Sequence, residues 1–404
     1  MQRITSILPL FMGIVLLFTV LIPQNALFAA TDDLTVSGWI PYWRDAEGIK
    51  DAKKHIAQID TVYPFAFTVK LDGTLSDQAG LTDKDWKSFM KLAKSKNVEV
   101  IPTIMWASGE TIHATLLDTK ARAKHVKAIV DMVKKGGYAG VDIDYEGKKS
   151  ETKLFFSVFL AELKAAMGNE KILSCTLEAR TPPDSLFRDG EVPEVMNYAN
   201  DYVSLNTICD RIVLMAYDQQ RADMKQNKER QGTPYMPVAD VDWVEKVVKL
   251  ALQSFPKEKL VLGIPSYGNH YAITVVPEWY RDYTRIGALN MPDILDVAKE
   301  YKVTPTRNSA GEMGFTYLHK DSKVKFAKSL KIPKNTPKGL LVAAKALAHA
   351  NKTGEEVTFR MATYSDAGAM IEKIELANKY NLGGISFFKI DGEEDQKVWE
   401  YLAK

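Results

Sequence analysis

Short runs rich in β-branched and aromatic residues alternate with amphipathic segments along nearly the whole chain, and this alternation restricts the fold more than any other feature. Eight such runs occur: LTVSGWI (34–40), TVYPFAFTV (61–69), VEVIPTIM (98–105), GVDIDYE (140–146), KILSCTLE (171–178), RIVLMAYD (211–218), KLVLGIPSY (259–267) and GGISFFKI (383–390). Between them apolar residues return every three or four positions in 83–96, 120–135, 151–167, 240–255 and 366–380, the period of a helix with one buried face. Strand, helix, strand, repeated, implies parallel strands joined by helical crossovers. Eight of them suit an α/β closed barrel, the (β/α)8 TIM barrel, whose usual size is ~250 residues. The first seven runs start at fairly even spacing, but residues 268–365 separate the seventh from the eighth. That gap contains the strand-like pieces YAITVV and GFTYLHK and reads as an α+β insertion domain.

The chain has 404 residues, 46% of them hydrophobic, enough for one large core. Its 53 Lys and Arg nearly balance 51 Asp and Glu, so overall charge argues for neither nucleic acid nor an anionic membrane as partner. The first thirty residues differ: Arg3, then the apolar ILPLFMGIVLLFTVLIP, then a stretch ending in Ala29 and Ala30. They read as a signal peptide over 1–30, which assigns 31–404 to the mature barrel and places the protein outside the cytoplasm, secreted or in the periplasm or cell envelope. No other run approaches the ~20 apolar residues of a membrane span, so no stable span is expected after cleavage. An oxidising compartment permits a bridge between Cys175 and Cys209. Both fall in or beside apolar strand-like runs, however, and the expectation is two free, buried thiols acting as small hydrophobes. Six scattered His residues show no ligand spacing, so neither a metal nor a cofactor is expected, and the protein is expected to be a monomer.

Within the fourth run, GYAGVDIDYEG (137–147), Asp142, Asp144 and Glu146 stand at alternate positions. Strand side chains alternate faces, so Val141, Ile143 and Tyr145 point toward the helices while the three acids line the barrel interior. Glu146 then falls at the carboxyl end of the strand, where barrel active sites lie. Same-face neighbours rise by about 7 Å, and carboxylates so placed repel one another and raise at least one pKa. That makes Glu146 a candidate general acid near neutral pH. Two other readings are compatible with the same residues: a solvated acidic face on an edge strand, and a site for a hard divalent cation.

The chain resembles glycoside hydrolase family 18, the chitinase-like barrels, over essentially its whole mature length. The family's fourth-strand signature DxxDxDxE reads AGVDIDYE here: Asp142, Asp144 and Glu146 match its last three acids, and Ala139 replaces the first. LMAYD resembles the sixth-strand motif, with Met215, Tyr217 and Asp218 at the positions around the sugar's acetamido group. GIPSYG resembles the seventh-strand motif and puts Tyr267 at the pocket wall. GGISFFKID resembles the eighth-strand pattern, but Phe388 stands where the family has Trp, giving a smaller floor without an indole N–H. The insertion also falls where family members carry their α+β domain.

The resemblance implies substrate-assisted retaining hydrolysis, in which the substrate's 2-acetamido group attacks C1 and no enzyme nucleophile is needed. Glu146 would protonate the glycosidic oxygen and Asp144 would orient and balance the acetamido group. Tyr217 would donate to the acetamido oxygen, Asp218 would hold the distorted sugar, and Asp142 would share a proton with Asp144. The partner would be an oligo- or polysaccharide containing N-acetylglucosamine: chitin, a peptidoglycan glycan or an N-glycan core. Tyr42, Trp43, Trp106 and Tyr267, at or just after strand ends, are candidates to stack on sugar faces, whereas Trp39 is expected in the core and Trp279 packed within the insertion. Ala139 and Phe388 leave room for two alternatives, a non-catalytic sugar-binding relative and a cell-wall or spore-wall N-acetylglucosaminidase.

Overall fold

The computed structural model describes residues 34–403, so the expected signal peptide lies outside the described residues. Eight parallel strands close on themselves: Thr35–Pro41, Thr61–Val69, Thr103–Trp106, Gly140–Tyr145, Ile172–Glu178, Arg211–Met215, Leu260–Pro265 and Gly384–Phe388. Each pairs in parallel with the next, and the first pairs with both the second and the last, which completes a (β/α)8 barrel. The third strand is shorter than its run suggests, because Pro102 interrupts it between Glu99–Val100 and Thr103–Trp106. Proline has no N–H for the ladder.

The helical periodicities become Lys84–Ser95, Thr119–Gly136, Lys153–Met167, Val241–Ala251 and Ala367–Lys379. In Val241–Ala251 the buried residues are Trp243, Val244, Val247, Val248 and Ala251, one stripe along the helix, and Asp240 caps its start by accepting from the Asp242 N–H at 2.9 Å. Each fully buried valine on that stripe contributes about 1.5–3 kcal/mol, so a charge at Val244 would break the helix away from the wall. Helix and strand side chains together form the main apolar layer, outside the barrel wall. A second, smaller cluster fills the barrel interior: Trp39, Tyr63, Phe65, Ile101, Val213 and Val261, with Ala139 and Phe388 against it. The interior is therefore a packed plug, and Trp39 is core, 1% exposed.

Between the seventh and eighth barrel strands the chain builds a separate five-stranded antiparallel sheet. It comprises Gly268–Val276, Trp279–Leu289, Thr306–Arg307, Met313–Tyr317 and Val357–Tyr364, with helices Met291–Glu300 and Leu341–Thr353 packed on it. Two expectations are corrected here. Cys175 and Cys209 are joined in a disulfide, because the end of the loop before the sixth strand returns beside the middle of the fifth, an adjacency that run composition does not reveal. Trp279 is 56% exposed, since it sits beside the hairpin turn and has no second layer above it. Among the described residues no helix is long and apolar enough to cross a membrane.

Candidate active site

The fourth strand orients its acids as its alternation dictates. Tyr145 faces outward into a stack with Phe156 and Phe159, while Asp142 and Asp144 face inward, 0% and 3% exposed. Asp142 sits deep, and its two oxygens accept from Thr103 Oγ1 and Thr176 Oγ1 at 2.8 Å each. Trp39 Nε1 in turn donates to Thr103 Oγ1 at 3.0 Å. Burial, only partly offset by these hydroxyl donors, pushes the Asp142 carboxyl up to about 6. The hydrogen bonds found at Asp142 come from the two threonines, while its charge acts on Asp144.

Asp144 lies one step nearer the mouth. Its Oδ1 is buried with no hydrogen-bond partner among the described residues. Burial first, then the charges of Glu146 and Asp142, hold its carboxyl well above the usual carboxylate range. Glu146 follows the last strand residue and is half-buried, with its N–H on the Trp106 carbonyl at 2.9 Å. Burial and then the charge of Glu178 raise its carboxyl too, so all three acids are biased toward the protonated form.

An aromatic enclosure surrounds the mouth. Tyr217 stacks on Phe388 with centroids 5.6 Å apart, and Tyr267 meets both edge-on at 6.3 and 6.1 Å. Gly263 makes this possible: a Cβ there would meet the Leu214 carbonyl at 2.4 Å and the Tyr217 ring at 2.9 Å. Burial, followed by the charges of Asp144 and Glu146, keeps the Tyr217 hydroxyl protonated, a donor aimed among acids. Asp218, exposed, follows with φ 53, a left-handed conformation that aspartate tolerates better than most residues. Met215 and Tyr42 are half-buried at their strand ends, and Tyr42 meets the exposed Trp43 edge-on at 4.9 Å.

Trp106 and Tyr267 are both corrections as stacking residues. Trp106 is 6% exposed, packs against His125 and Tyr145, and donates Nε1 to Thr111 at 2.9 Å. Tyr267 is 5% exposed, so neither has an open face for a sugar to stack on. Trp106 does contribute to the wall of a groove of about 780 Å3, together with Thr68, Leu71, Met105, Ser108 and Thr111. Met105, in this groove wall, lies in register with Asp144. Sequence reasoning missed two charged neighbours, Lys148 and Glu178. The signal for Glu178 was present, an acid at the carboxyl end of the fifth strand; Lys148, outside any strand, gave none. Among the described residues no group of three His, Cys, Asp or Glu is placed to hold a metal ion.

A parallel eight-stranded barrel with acids and aromatics gathered at its carboxyl end defines a class, the barrel glycosidases and their relatives. The profile of the glycosyl hydrolases family 18 matches residues 38–393, and the chain belongs to that family. It is 25% identical over 211 residues to the cortical fragment-lytic enzyme of Bacillus anthracis, a match covering 50% of this chain and 44% of that protein, so this chain spans less than half of that relative's length. Its fold is that of the Bacillus cereus spore cortex-lytic enzyme SleL, with a TM-score of 0.64 at 18% identity over 92% of this chain and 74% of that one. A chitinase from Chromobacterium violaceum is equally similar in fold, with a TM-score of 0.66 at 19% identity over 92% and 98% of the two chains.

Proposed function

We propose that this chain is a glycoside hydrolase that cleaves β-linked glycans containing N-acetylglucosamine, by substrate-assisted retaining catalysis outside the cytoplasm. The observation that carries the reading is the Asp144 carboxyl: buried, raised in pKa by burial and by its acidic neighbours, and left with an oxygen that no side chain satisfies. A buried polar atom without a partner costs about 1–3 kcal/mol, and a substrate amide arriving from the mouth would relieve that cost. In the Michaelis complex Glu146 delivers its proton to the glycosidic oxygen, and the acetamido oxygen closes on C1 to form an oxazolinium ion. Asp144, in its carboxylate form, accepts the acetamido N–H and balances the developing positive charge, while Tyr217 donates to the acetamido oxygen and fixes its angle of approach. Water, deprotonated by Glu146, then opens the ion, and the two inversions retain the β configuration. Asp218 flanks the sugar, Phe388 forms its floor, and Tyr267 backs the wall edge-on to Phe388. The apolar, N-terminal ILPLFMGIVLLFTVLIP supports export.

The relationship to a cortical fragment-lytic enzyme favours peptidoglycan glycan strands over chitin as the polymer. Incubating the protein with chitin oligosaccharides and with purified glycan strands, and identifying new reducing ends by mass, separates the two. A thiazoline analogue of N-acetylglucosamine should inhibit in either case. Cleavage of de-N-acetylated substrate at an undiminished rate would sink the substrate-assisted mechanism, and binding of both polymers without any new reducing end would leave a lectin.

A further inference from the structure

Two charged side chains beside Glu146 have no part in the chemistry just described. Lys148 follows it by two residues, and its side chain is wholly buried, 0% exposed. An ammonium so placed costs several kcal/mol unless it is paired and hydrogen-bonded. Here Nζ donates to the Tyr145 carbonyl, lies 4.7 Å from the centre of the Phe156 ring, and stands 3.6 Å from Glu178 Oε2. Glu178, at the end of the fifth strand, accepts the Gly147 N–H at 2.9 Å and the Asn200 amide at 3.0 Å. Gly147 has φ 61, the turn that sends Lys148 back beneath the strand. The carbonyl immediately before Glu146 is thus held by Lys148, and the amide immediately after it by Glu178.

We propose that Lys148 and Glu178 form an ion-paired clamp on the two peptide groups flanking Glu146, positioning residues that aim this acid and set its protonation. The proposal rests on the reading of Glu146 as the acid. Few charges face it: Glu178 and Asp218 disfavour its carboxylate, Lys148 favours it, and Asp144 repels it from one step deeper. Burial lowers the Lys148 pKa, and the charges of Glu178, Asp144 and Glu146 partly offset that. A clamp of opposite charges makes a directional demand that a purely structural pair would not make. Lys148→Met removes the favouring charge and leaves Glu178 uncompensated, so Glu146 must titrate higher. Glu178→Gln keeps an oxygen for the Gly147 N–H but removes the repulsion, so Glu146 must titrate lower.

The test is an NMR titration of the full chain with 13C-labelled glutamate carboxyls, the Glu146 signal being assigned by its loss in Glu146→Gln. We expect a rise of roughly half to one pH unit in Lys148→Met, a similar fall in Glu178→Gln, and a return toward the native value in the double variant. The basic limb of the pH–rate profile should move with each. Shifts in the same direction, or none, overturn the clamp. Opposite shifts with an unmoved basic limb keep the clamp and instead refute Glu146 as the acid. Should Lys148→Met not fold, Lys148→Arg, which keeps the charge, is expected to leave the titration near native while Glu178→Gln still lowers it; an unmoved Glu178→Gln titration overturns the proposal.

Discussion

The two ends of the barrel interior are built from the same strands and treat their charged groups in opposite ways, although the hydroxyls of Tyr63, Ser174 and Ser386 are also buried without partners among the described residues. At the amino end Arg211 donates to Glu99 at 2.6 Å and to Thr61 at 3.0 Å, and just above it both oxygens of Asp142 accept from threonines. At the carboxyl end Asp144 keeps a buried oxygen without a partner, and Glu146 stands half-open beside it. Satisfied buried networks rigidify a fold, and unsatisfied ones wait for a partner. The lower layers are a frame and the mouth is a site, a division that falls between two aspartates only two residues apart.

Four experiments would break or sharpen that division. The largest effect belongs to the mouth: Glu146→Gln should lower kcat by about 10²–10⁴-fold with thermal stability and sugar binding preserved, measured by oligosaccharide turnover alongside calorimetry. Equal loss of binding and turnover would make Glu146 part of the frame. Next, Cys175→Ala with Cys209→Ala opens a loop with a sequence separation of 34 and should cost about 3–4 kcal/mol in denaturant unfolding, with kcat little changed at low temperature. A matching drop in kcat would couple the outer wall to the mouth.

The third concerns Asp142 and pH. Its folded carboxyl is raised from 3.8 to about 6, so the stability that its protonated form contributes is fully present below 3.8 and is lost as pH rises through about 6. That amounts to about 3 kcal/mol for this one group. Asp142→Asn should therefore shrink the difference in Tm between pH ~4 and pH ~7; an unchanged difference would show that Asp142 does not titrate in that window. The smallest effect should come from Trp279→Ala on the exposed hairpin, within about 0.5 kcal/mol of native stability. A large loss of activity on long polymers alone would extend the site onto the insertion.

Much of this organisation was legible in the sequence because it depends on periodicity. Alternation over Gly140–Tyr145 fixes which side chains share a face, and the strand end fixes the depth of Glu146, so the three acids could be placed without coordinates. Tyr267 was readable from its strand end, whereas Tyr217 and Phe388 came from the resemblance to family motifs, and the stacking of the three came from neither. Trp106 misled for an instructive reason. It too ends a strand, but it stands in register with Tyr145, one of the outward set, so its ring goes to the helices.

What the sequence by itself determined is therefore the barrel, the position of its insertion, and the inward acids, all consequences of side-chain period along a single segment. Tertiary structure alone decided that Cys175 bonds Cys209, that Thr103 and Thr176 donate to Asp142, and that Lys148 and Glu178 grip the backbone on either side of Glu146. Each of these joins segments distant along the chain or folds a turn back on itself. Their partners are set by which strands become neighbours when the barrel closes, and a periodicity within one strand carries no record of the residue that the next strand will place opposite it.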